Sequence, residues 1–82
     1  MAKIELGKDA RDAAAKALSA YLQKELDLEV TGFDAVFLVD FITENLGPVF
    51  YNQGLHDAQA IVQSKVELID EAIYGIEKPV KL

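Results

Sequence analysis

Over most of this chain, apolar residues recur every three or four positions, and the pattern divides the sequence into three helices. The stretch before the first, Lys3-Ile4-Glu5-Leu6, alternates polar and apolar as a short strand does. Gly7 punctuates. From about Lys8, Ala10, Ala14, Ala17, Leu18, Tyr21 and Leu22 form one apolar stripe, with Asp9 and Asp12 placed to complement the dipole at a helix N-terminus. The many alanines (Ala13, Ala14, Ala15, Ala17, Ala20) favour helix and let a neighbouring helix approach closely. This predicts a helix over 8–26. The segment Leu26-Asp27-Leu28-Glu29-Val30 alternates again, either as a fraying helix end or as a short strand pairing with residues 4–6. Thr31 and Asp34 have the spacing of a capping box, with aspartate in place of the longer glutamate, and open a second helix over 33–46. Gly47-Pro48 closes it, and proline suits the first turn of a third helix over 48–74. Gly75 stands where a C-terminal cap glycine belongs, with Pro79 shortly beyond. At 1.5 Å per residue the third helix would be about 40 Å long, which is long for so small a domain.

The helix faces carry the next inference. Tyr51, Leu55, Ala58, Val62, Lys65, Ile69, Ala72 and Ile76 follow one another at alternating spacings of four and three, a near-heptad seam that Lys65 interrupts. Ile61, Leu68 and Ile73 widen this stripe. In the second helix Phe33, Val36, Phe37, Leu38, Val39, Phe41, Ile42 and Leu46 cover nearly the whole circumference. A helix apolar all round must be buried all round, and two other helices of one short chain can hardly cover it. The expected architecture is therefore an all-α, three-helix single domain over 1–82 with a short N-terminal strand-like segment, in a packed or intertwined homodimer.

Composition narrows the class. With 82 residues and no cysteine, the chain has a marginal core and no disulfide or thiolate chemistry. No apolar run approaches the roughly 18 residues of a membrane span, and no signal-peptide core is recognisable, so a soluble cytoplasmic protein is expected, without membrane contact. The formal net charge is −6, and nearly all of it falls after residue 30. That acidity disfavours nucleic acid as a partner, because a phosphate backbone would be repelled.

The polar residues that invite a chemical reading are few. Asp40 and Glu44 are four apart on the greasy second helix, a spacing at which two carboxylates can bind a metal or divide acid and base roles. The alternative is structural: they accept hydrogen bonds from Tyr51, Asn52 or the backbone N–H groups that open the third helix. His56-Asp57 makes a weak metal or catalytic signal, since adjacent helix positions point about 100° apart and neither a second histidine nor a credible nucleophile completes a site. No phosphate-binding glycine loop, dinucleotide fingerprint or zinc spacing occurs, so no cofactor is expected.

The stretch from Asp40-Phe41 through Glu44, Gly47-Pro48 and Tyr51-Asn52-Gln53 to Asp57-Ala58 resembles the signature of a bacterial family of small proteins, domain-of-unknown-function family 2164. Looser matches in the flanks extend the likeness over nearly the whole chain. The resemblance implies that Asp40, Glu44, Gly47, Pro48, Tyr51, Asn52 and Asp57 form one shared unit, a helix junction with its polar network; it implies no activity. Three functions stand against one another. The first is a non-enzymatic dimeric interaction module, with a further protein as a possible partner. The second is a ribbon-helix-helix-like DNA-binding regulator, suggested by the strand-helix-helix order. The third is a metal-dependent enzyme using clustered carboxylates.

Overall fold

A computed structural model describes residues 3–82 and contains three α-helices: α1, Lys8–Leu26; α2, Gly32–Asn45; and α3, Gly47–Tyr74. The chain divides into two units, Met1–Phe50 and Tyr51–Leu82, so α3 begins in the first and supplies the helix of the second.

In the first unit, α1 and α2 pack on each other. Their core is Ala15, Ala35 and Val39, flanked by Ala14, Leu18, Val30 and Val36. Alanine at the contact brings the two backbones close, which is how such small side chains fill the space between two helices. The buried stripe of α1 is rotated by about one position from the one the sequence pattern suggests. Ala10, Ala17 and Tyr21 are exposed, and Arg11 and Ala15 lie on the packed side with Ala14, Leu18 and Leu22.

The helix ends follow local chemistry. Asp9 in the first turn and Lys24 in the last complement the dipole of α1. Asp27 ends it in the left-handed region (φ 53°, ψ 38°), a conformation aspartate tolerates better than most residues, and its N–H bonds back to the Leu22 carbonyl. Thr31 is the N-cap of α2 but its side chain makes no capping hydrogen bond, so the Thr31–Asp34 spacing marks the boundary without forming the box. Gly32 follows at φ 58°, where a β-carbon would be strained, and this lets the chain turn directly into the helix. At the other end, Thr43 Oγ1 donates to the Val39 carbonyl (2.8 Å) and Asn45 Nδ2 to the Phe41 carbonyl (3.0 Å). Leu46 separates α2 from α3, and Pro48 lies in the first turn of α3, where its missing N–H costs no helical bond.

One sequence expectation is corrected. No strand occurs among the described residues: 3–7 and 27–31 carry no strand pairing. The alternation of residues 3–6 has another cause. Ile4 turns inward, its Cδ1 so near Gly47 that a β-carbon there would come within 3.3 Å, while Lys3, Glu5 and Leu6 are exposed. Within the first unit the apolar girth of α2 is covered on one side. Ala35 and Val39 are buried, but Phe33, Phe37 and Phe41 are 80%, 61% and 57% exposed. A helix neighbour buries one face of a cylinder, and in the first unit α1 is packed on that face.

In the second unit no residue of α3 is buried. No helix is long and apolar enough to cross a membrane among the described residues.

Candidate functional site

The one long-range polar interaction among the described side chains joins α1 to α2. Arg11 Nε donates to Asp40 Oδ1 (2.8 Å) and Arg11 Nη2 donates to Asp40 Oδ2, a two-pronged bond between planar groups. Guanidinium and carboxylate match in this geometry, so the pair fixes orientation as well as proximity. Both side chains remain about two-fifths exposed. The hydrogen bond from Arg11, reinforced by its charge, holds the Asp40 carboxyl below the usual carboxylate range, and the same bond pushes the Arg11 guanidinium up from an already high value.

Around the pair lies an open depression of about 280 Å³, lined among others by Ile4, Glu5, Arg11, Asp40, Thr43 and Glu44. Three of its polar side chains are committed. Arg11 and Asp40 satisfy each other, and the Thr43 hydroxyl is held by the carbonyl of Val39. With both of its oxygens engaged by Arg11, Asp40 is held as the charged acceptor of an ion pair. Among the described residues, no three His, Cys, Asp or Glu side chains lie close enough together to hold a metal ion.

Of the residues that the sequence singled out, Asp40 and Glu44 thus share one depression, and Gly47 and Pro48 form the start of α3 next to it in the chain. Asp40 takes its hydrogen bonds from Arg11 of α1, and Glu44 is exposed. In the second unit Tyr51 and Asn52 are exposed, and Asp57 Oδ1 accepts a hydrogen bond from Gln53 Nε2 (2.9 Å) one turn earlier. His56 is exposed as well.

Arg11 is the residue that sequence reasoning missed. It is the sole arginine of the chain, and with Ala15, Leu18 and Leu22 it continues a four-three-four spacing. A lone arginine inside one packing stripe and a lone aspartate beside Val39 in the other were the available signal.

A family model described as an uncharacterized conserved protein (DUF2164) matches residues 4–77. No curated protein and no solved structure matches the chain.

Proposed function

The chain belongs to the DUF2164 family, and on that footing we propose that it is a non-enzymatic helical interaction module whose working form is a pair of identical chains. The observation that carries this reading is the amount of large apolar side chain left in water. Phe33, Phe37 and Phe41 lie along one side of α2, with the Phe33 and Phe37 rings stacked at 6.3 Å between centroids. At roughly 200 Å² per phenylalanine, they leave on the order of 400 Å² exposed, already the size of the largest apolar patch on a typical monomer.

The second unit adds Tyr51, Leu55, Ile61, Val62, Val66, Leu68, Ile69, Ile73, Tyr74 and Ile76, each about half exposed or more. Taking roughly 100 Å² for a fully exposed apolar side chain, they contribute on the order of 600 Å². Each face by itself is a substantial part of the roughly 800 Å² per partner of a standard stable interface. A second copy is the economical occupant, because closed two-fold pairs are the commonest way in which chains cover such faces. Within this reading the Arg11–Asp40 pair sets the angle at which α2 presents its phenylalanines.

Size exclusion with light scattering tests the proposal. A mass twice that of the chain is expected at micromolar concentration; a monomer throughout the accessible range overturns it.

A further inference from the structure

The helical seam of α3 is self-complementary in size about its middle. Counting outward from the point between Gln63 and Ser64, Val62 mirrors Lys65, Ala58 mirrors Ile69, and Leu55 mirrors Ala72. Tyr51 mirrors Ile76, which lies in the turn just beyond the helix end. Tyr51, Leu55, Val62, Ile69 and Ile76 are all among the exposed large apolar residues of the chain. Resting on the self-association proposed above, we infer that α3 pairs antiparallel with α3 of a second copy, centred on this point.

The alternative orientation is disfavoured layer by layer. In a parallel, in-register pair, Ala58 faces Ala58 and Ala72 faces Ala72, leaving two thin layers, while Leu55 and Ile69 each meet their own bulky copy. Lys65 would face Lys65 inside the seam, placing like charges together where water is scarce. The antiparallel pair sets each alanine against a large aliphatic residue: Ala58 against Ile69 and Ala72 against Leu55. Alternating large and small across facing positions is how interdigitating layers fill space. Lys65 then faces Val62, with its counterpart displaced along the axis by three residues, about 4.5 Å, and each ammonium can reach water along its own flank. Opposed helix dipoles also attract rather than repel. The register is set by the same pairs, because sliding one helix past the other by one heptad shortens the overlap of the two seams and sets Val62 against an alanine.

Nitroxide labels at two outward-facing positions separate the possibilities. The chain has no native cysteine, so Gln53→Cys and Ser64→Cys each carry a single label. Neither residue belongs to the seam. In the antiparallel pair the two labels at 64 are nearly level, while those at 53 are offset along the axis by 21 residues, about 32 Å. Pulsed electron resonance should therefore give a short distance for Ser64→Cys and one longer by tens of ångströms for Gln53→Cys. Equal short distances at both sites mean a parallel pair and overturn the inference. Long distances at both mean that α3 does not pair about this centre, and overturn it equally. Light scattering on the same labelled samples tells these failures from failure of the underlying reading, which would appear as a monomer.

Discussion

Arg11 and Asp40 each put a charge into a stripe that otherwise packs alanine, valine and leucine, and each is tolerable there because the other is opposite. Removing one partner strands a half-exposed charge beside the α1–α2 contact, so Arg11→Ala and Asp40→Asn both lower stability at neutral pH. The two differ from the native chain in pH response. Because Arg11 holds Asp40 below the usual carboxylate range, the pair's contribution is fully present above that range. It is lost as the pH falls through the lowered value. The raised Arg11 loses its contribution only above the ordinary arginine range, far from working conditions. Thermal melts at pH 7 and at pH 2.5 should thus show a larger acid loss for the native chain than for Asp40→Asn. Equal losses in the two proteins would mean that the pair adds nothing to folding.

At the scale of the elements, the α1–α2 contact depends on smallness. Ala15 and Ala35 are buried at 7% and 3% exposure, and no large side chain is fully buried among the described residues. Ala15→Leu inserts three carbons between two backbones that approach closely. It should destabilise by about 1–3 kcal/mol, the usual cost of overpacking, measured by urea unfolding. An unchanged or stabilised protein would show that the contact is loose. The helices themselves were legible in the sequence: the spans expected at 8–26, 33–46 and 48–74 differ from the observed ones by at most one residue at any end. Gly7, Thr31 and Gly47-Pro48 are local punctuation, and local chemistry acts on neighbours in the chain. What pairs across the chain was less legible. Asp40 was a candidate from its position on an apolar helix, yet its partner lies 29 residues away on a helix whose buried stripe is broad enough to be read one position off. The alternation at residues 3–6 misled for a related reason, since one inward residue, Ile4, packed near Gly47 produces the same pattern as a strand.

For the whole molecule, the size of the buried core decides how folding and association relate. The three buried residues among those described, two of them alanine, supply little hydrophobic stabilisation, while the phenylalanines of α2 and the aliphatic residues of α3 lie in water. A chain of this length is marginal even with a well-filled core. If pairing covers those faces, most of the apolar burial comes with association, and stability becomes inseparable from concentration. A tenfold dilution then removes about 1.4 kcal/mol from a dimer. For a pair of chains this size that lowers the melting temperature by roughly 3–6 °C. Phe37→Glu sharpens the test. On a face that stays in water the substitution belongs with ordinary surface changes, within about 0.5 kcal/mol. On a face covered by a second copy it buries an unpaired carboxylate twice, once for each chain, and should both lower the melting temperature and shift the mass toward monomer. A native melting temperature that stays flat across a hundredfold range of concentration, with Phe37→Glu indistinguishable from it, would leave those phenylalanines as a solvent face and the chain folding alone on its α1–α2 core.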